Sequence, residues 1–218
     1  MIPKVSVILS SYNHEKYISE AIESILNQTF KDFEVLIFDD GSQDNSREIV
    51  KSFNDPRIKL FLHEVNRGPR ICLKECMNAA QGKYIAIHHS DDSWAKDKLE
   101  KQINFLETHE NYAACFTWVK IIDEDGNPYE LSEKNNYHAV FDQENRTREK
   151  WLHDLFFAGN CFCHPSVVLR NKKNLYDELY GISGLWQLTD YAAWVRLLLN
   201  SNLYVLNERL TLFRLRRK

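Results

Sequence analysis

The sequence contains no run of about 18 apolar residues, so it holds no stretch able to cross a bilayer as a helix. It has no CxxC pair. Its five cysteines, Cys72, Cys76, Cys115, Cys161 and Cys163, are odd in number and are expected to be reduced thiols of a cytosolic interior. Cys161 and Cys163 stand two apart and read as buried thiols. Excess positive charge is missing as well: a net charge of -3 gives no basic face for nucleic acid, which is not an expected partner. No internal repeat or low-complexity tract is present. Met1-Ile2-Pro3-Lys4 runs straight into an apolar segment, without the pattern of a signal peptide. Only the end is locally basic. Arg214, Arg216, Arg217 and Lys218 read as a solvated tail, as a chain cut short, or as a weak contact with anionic lipid. The expected location is cytoplasmic, peripheral at the inner face of the cytoplasmic membrane if that contact forms.

What is present is an ordinary globular composition: 218 residues, 44% hydrophobic and 27% charged, enough for one substantial domain with a generous core. Val5–Leu9 is a nearly continuous apolar run, as a parallel strand buried on both faces requires. Tyr17, Ile18, Ala21, Ile22, Ile25 and Leu26 then recur at helical spacing. Phe33–Phe38 and Ile58–Leu62 read as strands, with a helix through Ile49, Val50 and Phe53 between them. A helix around Cys72, Cys76, Ala79 and Ala80, closed by Gly82, precedes the strand Lys83–Ile87. Strands alternating with helices from residue 4 to 92 predict an α/β fold with a mostly parallel central sheet flanked by helices. Beyond it the spacing predicts a helix over 96–108, a strand over 113–119, and a turn at Asp123–Pro128. A long polar stretch to about Arg148 follows, then a helix over 151–157, a strand over 165–170 and a helix over 190–200.

Two acidic pairs end apolar strands: Asp39-Asp40 and Asp91-Asp92. In open α/β sheets, ligands bind outside the carboxyl ends of the strands. Adjacent carboxylates there have a reason to ionise if a hard divalent cation bridges them to phosphates. Asp40 could accept from the imide N–H of a pyrimidine base, or Asp40-Gly41-Ser42 could be turn chemistry. Asp91-Asp92 could hold a metal, or Asp92 or Ser93 could cap the next helix. Asp190 could cap its helix or act as a general base. His88 and His89 invite a transition-metal reading, but strand alternation sends the two rings to opposite faces, which favours outer-sphere or packing roles. His164, before Pro165, suits either a donor-site or a structural role. Trp94, Trp118, Trp186 and Trp194 could stack on sugars or fill the core; Trp186, after a Gly-rich run, is expected to line an acceptor site.

The order of these pieces resembles the family 2 glycosyltransferases. The matching segments are Val5–Asn13, Ser24–Phe30, Phe38–Asp44, Asn66-Arg67-Gly68, Gly82–Ile85, Ser90-Asp91-Asp92 (the family's DXD-type motif), His164-Pro165-Ser166 and Thr189–Leu197. The resemblance implies a GT-A fold with an acceptor-side subdomain, residues 1–95 holding the nucleotide sugar and 96–218 the acceptor and base. It implies inverting transfer from a nucleotide-diphosphate sugar, UDP favoured, to a glycan or lipid-linked acceptor. Ser10, Tyr12, Asp39 and Asp40 would line the nucleotide pocket. Asp91 would face the ribose and metal, Asp92 would ligate Mn²⁺ or Mg²⁺, and Asp190 would be the base. Many relatives carry an Arg-Asn pair where this chain has Leu73-Lys74, which leaves Arg67, Arg70 or Lys74 to supply the positive contact to the donor. Peripheral membrane association and a homodimer are compatible partner states. A sugar-phosphate nucleotidyltransferase would show a Gly-rich loop with Arg and Lys after the first strand, and Ser10–Asn13 lacks both. A catalytically inactive nucleotide-binding module would not need Asp40, Asp91, Asp92 and Asp190 together.

Overall fold

A computed structural model describes residues 2–129, 140–181 and 189–216. The first half follows the apolar runs closely. Strands β1 (Val5–Ser11), β2 (Phe33–Asp39), β3 (Ile58–Leu62) and β4 (Tyr84–His89) pair in parallel, in the order β3-β2-β1-β4. Helices α1 (Ile18–Leu26), α2 (Ser46–Ser52) and α3 (Pro69–Ala79) make the crossovers. The sheet continues past β4 through β7 (Val168–Arg170), β6 (Tyr112–Ile122) and β8 (Asn202–Arg214) to the two-residue β5 (Ser93–Trp94). β7 runs antiparallel to both of its neighbours, and β6 and β8 are parallel.

Alternation along β1, β2 and β4 explains why their runs are apolar throughout. Ile8, Leu36, Ile85 and Ile87 enter one core layer with α3 and with α5 (Arg148–Ala158), α6 (Leu175–Tyr180) and α7 (Thr189–Asn200). Val7, Leu9, Val35, Ile37 and Ala86 enter the other, against α1, α2 and α4 (Lys98–Thr108). Each fully buried aliphatic side chain contributes about 1.5–3 kcal/mol relative to exposure. Gly82 lets the chain pass close to β1: a Cβ there would lie 2.6 Å from the Ser6 amide nitrogen. Trp94, Trp151 and Trp194 are buried in these layers, and Trp118 is half-buried with its indole N–H on the Gln143 carbonyl.

Register decides where the site falls. Ser11 pairs with Asp39 and Ser10 with His89, so β1, β2 and β4 end in line. The two acidic pairs therefore flank the tip of β1.

The second half corrects several expectations. Arg214 is not part of a solvated tail. Arg214 closes β8 and is only 4% exposed, because Leu203, Val205 and Leu210 carry this 13-residue strand into the sheet. The strand expected over 165–170 begins as a 3₁₀ turn, His164–Ser166, since Pro165 has no N–H for a ladder; only Val168–Arg170 pairs. The strand expected over 113–119 extends to Tyr112–Ile122, and α6 was not anticipated. Within the polar stretch, Asp123–Asn127 is a turn, and the Thr147 side chain caps α5 by accepting from the Lys150 amide. Cys163 is buried as expected, and Cys161 is half-buried.

Candidate functional site

The end of β2 builds one wall. Asp39 has no exposure, and its oxygens accept from the Ser42 amide (2.9 Å), the Ser42 hydroxyl (2.5 Å) and Arg47 Nε (2.7 Å). It braces the turn that presents Asp40. Gly41 permits that turn: its φ is +78°, and a Cβ would meet the Asn66 amide nitrogen at 2.7 Å. Asp40 Oδ1 accepts from His63 Nδ1 (2.9 Å) and the Arg67 amide (2.8 Å), and Oδ2 from the Gly68 amide (2.8 Å). Burial pushes the Asp40 carboxyl up, but these hydrogen bonds outweigh it and hold the group below its usual range. Burial, followed by the charge of Asp40, pushes the neighbouring Cys72 thiol up to about 12.

The end of β4 builds the opposite wall. As alternation requires, His88 turns into the core, 4.4 Å from the Trp94 ring, and burial lowers it to about 3. His89 turns to the other face. Asp92 is 2% exposed; its Oδ1 accepts from the Arg214 amide (2.8 Å), while Oδ2 has no hydrogen-bond partner. Burial, and then the charge of Asp91, push the Asp92 carboxyl well above its usual range. Asp91 is half-buried and pairs with Arg216 at 3.1 Å. Donor atoms of His89, Asp91 and Asp92 lie within 4.8 Å of one another. An orphaned buried carboxylate oxygen beside two further ligand atoms fits a divalent cation.

At the ends of β1 and β4 a cavity of about 300 Å³ opens toward α3, α6 and α7. Ser10, Arg70, His89, His164, Tyr180 and Asp190 are among the groups lining it. Asp190, at the N-terminal end of α7, accepts from Asn160 Nδ2 at 2.8 Å and from the Tyr191 amide at 2.8 Å. Its charge reaches both His89 and Tyr180. The tertiary fold therefore joins Asp190 to the β4 tip, 98 residues earlier than Asp190 at Asp92, a proximity no spacing rule supplies. His164 is held neutral, lowered to about 3 by burial and then by His89.

Other expected residues occupy distinct places. Tyr12 lies 41% exposed beyond β1. Arg67 meets Asp40 through its backbone amide, and its guanidinium pairs with Glu75 at 2.7 Å. Arg70 donates to the Tyr180 carbonyl at 3.3 Å. Lys74 pairs with Asp177 at the surface (3.5 Å), and Leu73 lines the cavity. Trp186 lies outside the described residues. Sequence reasoning missed three groups: Asn160, Arg214 and Arg216. Arg214 donates through Nε to the Asp91 carbonyl (2.8 Å) and through Nη1 to the carbonyls of Asp123 and Glu124 (3.0 Å each). Its Nη2 meets Glu20 at 2.5 Å. Arg216 also reaches His14 at 2.9 Å. The available signal was the apolar content of residues 203–213 ahead of the arginines.

A mostly parallel sheet between two helical layers, with acids at the tips of β2 and β4, is shared with solved glycosyltransferases of the GT-A class. The chain belongs to glycosyl transferase family 2, whose model matches residues 6–171. It is 35% identical over 205 residues to an uncharacterized glycosyltransferase of Methanocaldococcus jannaschii, covering 91% of this chain and 66% of that protein. It is 43% identical over 102 residues to the UDP-Glc:alpha-D-GlcNAc-diphosphoundecaprenol beta-1,3-glucosyltransferase WfgD of Escherichia coli, covering 47% of this chain and 40% of WfgD. Crystalline S. aureus TarS 1-349 in complex with UDP-GlcNAc superposes with a TM-score of 0.75 at 24% identity, covering 99% of this chain and 59% of that 1-349 chain. The chain thus spans two thirds or less of each of these proteins. Among the described residues, no helix is long and apolar enough to cross a membrane.

Proposed function

We propose that the protein transfers a sugar, with inversion, from a nucleoside diphosphate donor to a hydroxyl of a glycan or lipid-linked acceptor. The observation that carries this reading is His89, which belongs both to the cluster with Asp91 and Asp92 and to the lining of the cleft that Asp190 also lines, in a chain that matches the family model over residues 6–171. Residues 1–95 hold the donor: Ser10, Tyr12 and Asp40 face the nucleoside, with Asp39 bracing the turn. Asp91 and Asp92 are the residues that would hold Mn²⁺ or Mg²⁺. A cation bound there neutralises the charge developing on the leaving diphosphate. Arg216, beside Asp91, supplies positive charge at these acids, and Arg70 supplies it on the lining of the cleft.

Residues 96–218 supply the acceptor side. Asn160 and the Tyr191 amide orient the Asp190 carboxylate, which takes the proton of the acceptor hydroxyl as general base. The acceptor oxygen bonds to the anomeric carbon from the face opposite the diphosphate, whose bond to that carbon breaks. His164 lies on the same wall. A UDP-sugar is favoured because TarS binds UDP-GlcNAc on this fold, and a lipid-linked acceptor because the name of WfgD specifies one. Such an acceptor would bring the protein to the inner face of the cytoplasmic membrane.

The test is thermal shift with UDP and GDP, with and without Mn²⁺, followed by Asp190→Asn. The expected result is a metal-dependent stabilisation by one nucleotide. The variant should keep that stabilisation but lose transfer by about 10²–10⁴-fold, the usual contribution of a positioned base. No shift with either nucleotide overturns the donor site; near wild-type transfer by the variant overturns the base.

A further inference from the structure

The imidazole of His89 is set up as more than a wall of the cleft. Its Nδ1 faces the acids, 3.5 Å from Asp92 Oδ2, the buried oxygen that has no hydrogen-bond partner. At that separation the two atoms make no good hydrogen bond with each other. Both stand, with a carboxylate oxygen of Asp91, inside the 4.8 Å cluster. We propose that His89 Nδ1 is a direct ligand of the divalent cation held by Asp91 and Asp92, and that this nitrogen makes the site prefer Mn²⁺ over Mg²⁺. The inference rests on the donor-site reading, which requires a cation at these acids but names oxygen ligands only.

The other side of the ring completes the argument. His89 Nε2 lies 2.9 Å from His164 Nδ1, and His164 Nε2 lies 3.1 Å from the Tyr180 hydroxyl. For Nδ1 of His89 to offer a lone pair, its proton must sit on Nε2 and be donated to His164 Nδ1. His164 then carries its own proton on Nε2 and donates it to the Tyr180 oxygen. Every step of that chain has a partner in place. Such outer partners are what fix the tautomer and ring orientation of metal-binding histidines. His164 and Tyr180 are therefore positioning residues for His89. Without a cation, the chain can run the other way, Tyr180 donating to His164, His164 to His89, and the Nδ1 proton pointing at Asp92. The number of protons is the same in both arrangements.

Selectivity follows from ligand type. Mg²⁺ takes hard oxygen ligands and keeps its waters, whereas affinity for an imidazole nitrogen rises along the first-row metals from Mn²⁺ onward. An all-oxygen set would separate Mn²⁺ and Mg²⁺ much less than a set with one nitrogen.

The test is Mn²⁺ titration of the whole chain, with and without UDP, read by electron paramagnetic resonance and electron spin echo envelope modulation, with Mg²⁺ as competitor. Wild type should show nitrogen modulation from directly bound imidazole. His89→Asp should keep Mn²⁺ without that modulation, and its Mn²⁺-over-Mg²⁺ preference should fall. His164→Ala should weaken Mn²⁺ binding while the modulation persists. Bound Mn²⁺ without nitrogen modulation in wild type, or an unchanged metal preference in His89→Asp, overturns the ligand assignment and leaves the donor reading standing. Absence of any protein-bound Mn²⁺, with or without UDP, overturns both.

Discussion

Arg214 is the residue at which fold and site meet, and its replacement makes a sharp prediction. Its side chain is 1% exposed, its guanidinium lies 4.9 Å over the Tyr17 ring, and its donors satisfy the carbonyls of Asp91, Asp123 and Glu124 and the carboxylate of Glu20. Arg214→Met keeps the apolar stem but leaves these four acceptors without their donor. Glu20 is 47% exposed and returns to water at little cost. The three carbonyls do not all have that escape, and an unsatisfied buried acceptor costs about 1–3 kcal/mol. Removing one partner of a buried charged network typically costs about 3–5 kcal/mol, and the two figures agree. For a domain of this size that is a fall in Tm of roughly 10 °C. Arg214→Lys should recover only part of it, since an ammonium cannot reproduce the planar fork. Urea unfolding at neutral pH measures the loss as a lower midpoint at unchanged slope. A loss within about 0.5 kcal/mol, the range of surface substitutions, would refute the buried clamp and restore the solvated tail.

Two further predictions concern the core. Lys98 has no exposure, its Nζ lies 2.7 Å from Gln102 Oε1, and burial lowers its pKa to about 7. Because the native value lies below the unfolded one, the unfolded chain binds more protons between pH 7 and about 10.4, so this amine makes stability rise with pH across that window. Urea melts of Lys98→Met should gain about 3 kcal/mol relative to wild type between roughly pH 9.5 and pH 6; parallel pH profiles would show that the amine is not buried. Gly82→Ala drives a Cβ against the Val5 and Ser6 backbone at 2.7 and 2.6 Å, so its Tm should drop by an amount matching about 1–3 kcal/mol of overpacking; an unchanged Tm would mean that the β1 contact yields freely.

Much of the first half of the chain was legible because its information is local. The near-continuous apolar runs of β1, β2 and β4 announce strands covered on both faces, and each ends in polar residues, so the acids fall at the carboxyl edge. Alternation alone separates His88 from His89. β8 was harder to read because Asn207-Glu208-Arg209 interrupts its apolar pattern and its register against β6 shifts at Thr117, Trp118 and Val119. Asp39 read as a donor contact beside Asp40 because two neighbours in sequence look alike. Only packing shows that one faces Arg47 and Ser42, and the other His63 and the Arg67 and Gly68 amides.

By itself the sequence determined the parallel α/β sheet, the family, and the acids at the tips of β2 and β4, because periodicity and turn residues act over a few neighbours. Tertiary structure alone decided that Asp190 and His164 share a cleft with His89, and that Arg214, 122 residues after Asp92, holds that carboxylate through its own amide. Contacts of that separation follow from which apolar faces bury together, and no local spacing encodes them.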